Sequence, residues 1–158
     1  MKVLVAGLAA LVAANGALAA PKAAAPGDPE RAYFAKAAKE KGAVVLPGLT
    51  YTVMKSGPAD GAHPGRTDTV TVHYIGTLTD GTQFDASGGD GSGEASFTVG
   101  GVIAGFGAAL KLMRPGDRWR VSIPAYLAYG DQAKPTIPAG SALVFEIELL
   151  SITPKVAS

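Results

Sequence analysis

Alternation of apolar and polar positions dominates this chain and marks it as rich in strands. In Thr69–Gly76, Val70, Val72 and Tyr74 fall on one face while Thr71 and His73 fall on the other. Arg118–Pro124 places Trp119, Val121 and Ile123 together, and Ala142–Ile152 does the same for Leu143, Phe145, Ile147 and Leu149. Leu49–Lys55 alternates through Leu49, Tyr51 and Val53, and Ser96–Val99 reads as a short strand. Asp80-Gly81 is a tight-turn signal followed by a returning segment, Thr82–Asp85, and Ser87–Gly93 reads as a flexible loop. Two segments have helical spacing instead. Asp28-Pro29-Glu30 has the chemistry of a helix start, a capping carboxylate and then a proline in the first turn, so a helix is predicted over Glu30–Lys41 with Gly42 as its stop. Tyr33, Phe34, Ala37 and Ala38 share a face of it, which suits docking on the same domain better than a dimer interface. The second helix, Val102–Met113, contains glycines that weaken it, so burial must hold it in place before Arg114-Pro115-Gly116-Asp117 turns the chain.

One antiparallel sheet wrapped on one short helix, an α+β fold, satisfies these patterns. The order of elements divides the chain into a leader over 1–19, a tether with the short N-terminal helix over 20–47, the folded domain over 48–153 and a tail over 154–158. The leader carries Lys2, an apolar run over Val3–Ala14 and the small-x-small sequence Ala17-Leu18-Ala19, the pattern of a cleaved secretion signal. That run is too short and too rich in alanine for a permanent span, so the mature chain is expected to be exported, into a periplasm, without stable membrane insertion.

Composition excludes more than it suggests. The formal charge is +1 with scattered basic residues, which leaves no electrostatic footprint for nucleic acid. The chain contains no cysteine, so thiol chemistry and disulfides are absent. His63 and His73 are not spaced as a ligand pair, no Gly-x-Ser-x-Gly elbow accompanies them, and no metal or cofactor is expected. Asp85, Asp90 and Glu94 lack the dense oxygen ligands of a calcium loop, and Gly100-Gly101-x-x-x-Gly105 lacks the Lys-Ser/Thr of a phosphate loop. What remains is apolar and aromatic. Residues 126–149 join a proline-studded loop to a β-patterned strand, an arrangement that walls a hollow, and Tyr74, Phe84, Phe106, Tyr129, Ile137 and Phe145 are its candidate lining. Each alone is as easily ordinary core. Together, with Asp85 following Phe84 and two tyrosine hydroxyls that need partners when buried, they suit a reaction needing a dry pocket and no nucleophile.

Four phrases carry a more specific signal: VTVHYIGTLTDGTQFDAS (Val70–Ser87), FTVGGVIAGF (Phe97–Phe106), LKLMRPGDRWRVSIPAYLAYG (Leu110–Gly130) and IPAGSALVFEIELL (Ile137–Leu150). In wording and order they resemble the FKBP family of macrolide-binding peptidyl-prolyl cis–trans isomerases, over Gly48–Thr153. The short helix and GLTYTVM ahead of them are similar to exported bacterial members. The resemblance implies a bent antiparallel sheet half-wrapped around a short helix, with a pocket between them. It implies rotation of X–Pro bonds in exported proteins, with proline-containing polypeptides as partners and macrolides as inhibitors.

Tyr74, Phe84, Asp85, Tyr129 and Phe145 then correspond to catalytic positions, and Val102, Ile103, Phe106 and Ile137 to substrate-binding ones. Three departures from the family pattern stand out. Phe106 occupies a floor position that is usually tryptophan, Ala95-x-Phe97 replaces Phe-x-Phe, and Asp131–Thr136 brings Lys134 and Thr136 to the mouth in place of an apolar loop. The first two keep open an alternative, a proline-peptide-binding chaperone or docking module with weak or lost isomerase activity. The chain is too short to hold the long dimerisation arm of some exported relatives, so a monomer is expected.

Overall fold

The computed structural model describes residues 28–156, so the leader reading over 1–19 and the start of the tether lie outside the described residues. The elements, in chain order, are α1 (Pro29–Ala37), β1 (Ala43–Leu46), β2 (Leu49–Lys55), β3 (Thr69–Leu78), β4 (Gln83–Ala86), β5 (Ala95–Thr98), α2 (Ala104–Leu112), β6 (Arg118–Ile123) and β7 (Leu143–Thr153). Among the described residues all pairings are antiparallel, in the order β1-β2-β6-β7-β3-β4, with β5 sharing the outer edge of β3 with β4. The α+β expectation is met.

One face of this sheet is apolar because each strand alternates. Val70, Val72 and Tyr74 of β3, Trp119, Val121 and Ile123 of β6, and Leu143, Phe145, Ile147 and Leu149 of β7 are all buried. Against them lies α2, which buries Phe106, Ala109 and Leu110. Its glycines explain how so weak a helix former is held. A Cβ at Gly105 would stand 2.3 Å from Ile123 Cγ2, so the missing side chain lets the helix lie almost directly on β6. Close packing, not propensity, makes this helix.

Several local expectations need correction. Helix α1 begins as read, with Asp28 Oδ1 accepting the Glu30 amide at 2.8 Å, but it ends at Ala37 instead of Lys41. Residues 38–41 have good propensity and nothing to pack on; Ala38, Lys39, Glu40 and Lys41 are exposed, and the backbone passes through turns to enter β1. The strand β1 itself was not anticipated. It pairs with β2 around a Pro47-Gly48 turn, Leu46 opposite Leu49. Val53, read as sharing a face with Leu49 and Tyr51, is 40% exposed where Leu49 is buried, because β2 is bulged between Val53 and Lys55 and leaves the core there. Ser87, assigned to a flexible loop, is 3% exposed and clamped to β3.

Helix α1 docks on the opposite, outer face of the same sheet. The Tyr33 hydroxyl lies 3.1 Å from Ser122 Oγ, and Glu30 Oε2 accepts the Ala125 amide at 3.4 Å. A hollow of about 310 Å³ separates the helix from β3, β6 and β7, lined by Tyr33, Ile75, Arg120 and Val144 among others. Among the described residues, no helix is long and apolar enough to cross a membrane.

Candidate active site

Four elements bring the aromatic residues into one cluster. Strand β3 supplies Tyr74, β4 supplies Phe84 and Asp85, α2 supplies Phe106, and β7 supplies Phe145. Phe145 is the hub: its ring centroid lies 5.1 Å from that of Phe106, 5.6 Å from Phe84 and 6.4 Å from Tyr74. The Phe106 and Phe84 contacts are edge-to-face, the arrangement that ring quadrupoles favour, each contributing about 0.5–1.5 kcal/mol beyond area burial. Ile103 at the N-cap of α2 and Ile137 of the 131–142 loop are each 1% exposed, and Val102 is buried beside them. Phe84 is only half-buried and is the ring of this cluster nearest to solvent.

Room for these rings is made by a missing side chain. Gly76 in β3 is opposite Phe145 of β7 and Asp85 of β4. A Cβ there would stand 2.6 Å from Phe84 Cζ and 2.9 Å from Phe145 Cε1. Sequence reasoning passed over Gly76; a lone glycine inside a strand was the available signal, since it marks close approach. Phe97 was also missed as part of the cluster, although its ring lies 5.8 Å from Tyr74 and 6.1 Å from Phe106. It shares the buried side of β5 with Ala95, the position that departs from the family pattern.

The polar groups are few and mostly satisfied. Tyr74 Oη donates to Asp85 Oδ2 at 2.7 Å, and Asp85 Oδ1 accepts the Ala86 amide at 2.9 Å. Ser87 Oγ accepts the Tyr74 amide at 2.9 Å and fixes the strand from behind. Burial pushes the Asp85 carboxyl above its ordinary value, against the lowering effect of the Tyr74 hydroxyl and the Ala86 amide. Burial, reinforced by the Asp85 charge, pushes the Tyr74 and Tyr129 phenols well above theirs. Both remain neutral donors at any physiological pH.

Tyr129 is the exception to satisfaction. Its hydroxyl is buried and has no hydrogen-bond partner within the chain among the described residues. Leaving such a group unpaired costs about 1–3 kcal/mol, so a buried orphan beside this cluster asks for an explanation. A second orphan, Trp119 Nε1, belongs to a ring stacked 4.2 Å from Tyr51 on the β2–β6 side of the core. The Ile103 amide lies at the positive end of α2. The histidines are engaged elsewhere, His63 with Met113 O at 3.0 Å and His73 beside Glu148 at 4.0 Å.

The sequence profile of the FKBP-type peptidyl-prolyl cis-trans isomerases matches residues 61–150. The chain belongs to this family. It is 48% identical over 122 residues to the FKBP-type 22 kDa peptidyl-prolyl cis-trans isomerase of Escherichia coli, an alignment covering 76% of this chain and 58% of that protein. Against the outer membrane protein MIP of Legionella longbeachae it is 47% identical over 122 residues, covering 75% of this chain and 51% of that one. The chain thus spans between half and three-fifths of the length of these two relatives. A crystal structure of a peptidyl-prolyl cis-trans isomerase from Pseudomonas syringae superposes with a TM-score of 0.72 at 32% identity, covering 84% of this chain and 100% of that one.

Proposed function

We propose that this chain is a peptidyl-prolyl cis–trans isomerase that accelerates rotation of X–Pro bonds in exported polypeptides, and that it does so as a monomer by desolvation. The observation that carries the reading is the convergence of Phe84, Phe106 and Phe145 in one aromatic cluster, in a core that also buries a Tyr129 hydroxyl without a partner among the described residues.

Rotation about an X–Pro amide breaks resonance across a barrier of about 18–20 kcal/mol and makes no new bond. The planar amide is strongly dipolar; the twisted one has lost charge separation. Moving both from water into an apolar cleft therefore disfavours the planar form more, which is stabilisation of a transition state relative to its ground state. A thousandfold acceleration corresponds to about 4 kcal/mol. Desolvation and two hydrogen bonds of about 1 kcal/mol each supply a term of that size. In this mechanism Phe84, Phe106, Ile137 and Phe145 hold the proline ring, with Val102 backing Ile103. The Ile103 amide and the Tyr129 hydroxyl donate to carbonyls flanking the rotating bond. Tyr74 and Asp85 shape the wall that faces the moving carbonyl.

The direct test is exchange NMR on a proline peptide with and without the protein: cross-peaks between cis and trans forms should strengthen on its addition, and unchanged exchange rejects the reading. Tyr129→Phe removes the orphan hydroxyl and little else. It is expected to lower kcat/KM about fivefold, or about 1 kcal/mol, and an effect below about twofold removes the proposed hydrogen bond.

The pH profile separates desolvation from proton transfer. No group assigned to the site titrates between the raised Asp85 carboxyl and the raised phenols, so kcat/KM should be flat from about pH 7 to 9. Because the folded Asp85 takes up its proton at a higher pH than an exposed aspartate, any acid limb should begin above the ordinary carboxylate range and vanish in Asp85→Asn. A bell-shaped profile centred near neutrality would instead require general acid–base chemistry.

A further inference from the structure

The loop between Tyr129 and Ile137 carries a charge that rotation by desolvation does not use. Lys134 and Ile137 form an isolated β-bridge, Lys134 N–H donating to Ile137 O at 2.8 Å and Ile137 N–H returning to Lys134 O at 3.2 Å. The bridge closes the Pro135-Thr136 turn and ties the Lys134 backbone to a fully buried wall residue. From there Nζ reaches 5.0 Å from the centroid of the Tyr129 ring, within cation–π range. This is the ring whose hydroxyl is buried without a partner.

The charge is uncompensated. Lys134 lies within ion-pair distance of no carboxylate among the described residues. Asp85, the acid of the site, is already engaged by the Tyr74 hydroxyl and the Ala86 amide. Asp131, earlier in the same loop, is exposed to solvent. Lys134, half-buried as a residue, holds its ammonium against this ring with no carboxylate partner among the described residues, and so presents its charge to whatever chain lies across Tyr129.

We propose that Lys134 is a specificity-determining residue that directs the enzyme to prolines flanked by an acidic side chain. The inference rests on the isomerase reading and deepens it by naming the substrate class. A chain whose carbonyl meets the Tyr129 hydroxyl must run past the same ring, which brings a neighbouring side chain under Lys134. Aspartate or glutamate there meets an opposite charge with part of its water already displaced by the ring. Lysine or arginine meets a like charge. Exposed pairs contribute little, and partial burial strengthens them, so the preference is set at about fivefold.

The test uses the full chain and proline peptides in which Glu, Gln or Lys is scanned over the two residues before and the two after the proline. At one or more of these positions kcat/KM should follow the order Glu, Gln, Lys, with about a fivefold span that narrows as salt is raised to about 0.5 M. Lys134→Glu should reverse the order and Lys134→Gln should erase it, the second variant standing in if the first fails to fold. A Glu-to-Lys ratio near one at all four positions overturns the proposal, as does a ratio that survives both substitutions. Failure to turn over even the Gln peptides overturns the isomerase reading instead. Peptide affinities, measured by NMR titration on the same set, then decide for or against Lys134 by the same order.

Discussion

Phe145→Ala is expected to lower kcat/KM for a proline peptide about a hundredfold while costing about 3–5 kcal/mol of stability. Both numbers follow from the same ring. Phe145 is fully buried and its centroid lies within 6.4 Å of three other aromatic rings, so truncation removes transfer free energy and leaves a cavity that those rings cannot fill without moving. The activity loss arises because the wall against which the proline ring would be desolvated is gone, a loss of about 2.7 kcal/mol at about 1.4 kcal/mol per decade. Stability is read by urea unfolding and activity by exchange NMR. Since total stability is about 5–15 kcal/mol, Phe145→Leu serves as the milder companion, keeping most of the volume and removing the ring. Wild-type turnover in a folded Phe145→Ala protein contradicts the placement of the proline pocket.

Gly76→Ala should produce the second largest effect, about a tenfold fall in kcat/KM with about 1–3 kcal/mol of destabilisation. Two effects of opposite sign compete at this position. Removing a glycine from a strand interior favours folding by about 0.5–1 kcal/mol through the unfolded chain. Against it, the new methyl would lie 2.6 Å from Phe84 Cζ and 2.9 Å from Phe84 Cε2 and Phe145 Cε1. Overpacking of that degree outweighs the entropic gain, and Phe145 is held by Phe106 and Tyr74 and cannot retreat. Phe84, nearest to solvent, is the ring that must move. A variant more stable than the parent, with unchanged activity, would show that the rings relocate freely and that Gly76 does not shape the site.

The parts of the fold that could be read from the chain are those where one face of a strand meets the helix. Val70, Val72 and Tyr74, or Leu143 through Leu149, alternate because α2 covers one side of the sheet and the other carries Thr71, Glu146 and Glu148. Where burial is not so divided, the pattern fails. Strand β1 has Val44 and Val45 in succession, 38% and 58% exposed, because it is an edge strand with little to bury. The end of α1 was overextended because local propensity says nothing about where packing stops. The candidate site residues were named through family resemblance, and pattern alone would have left Tyr129 as one more core aromatic. Its missing hydrogen bond, the clearance at Gly76 and the seat of Lys134 over a ring are three-dimensional facts. Nothing in the spacing of those residues encodes them.

The order β1-β2-β6-β7-β3-β4 also bears on how the protein comes into being. Strand β7, the last in chain order among the described residues, is the only strand among them that joins the β1-β2-β6 group to the β3-β4-β5 group. Until it emerges, β6 and β3 each present a bare edge ready to recruit other chains. Pairing Thr69 with Thr153 closes a loop across most of the described sequence, the kind of distant contact that slows assembly. Phe145 rides on that same strand, so the aromatic cluster around it cannot form until β7 has been made and paired.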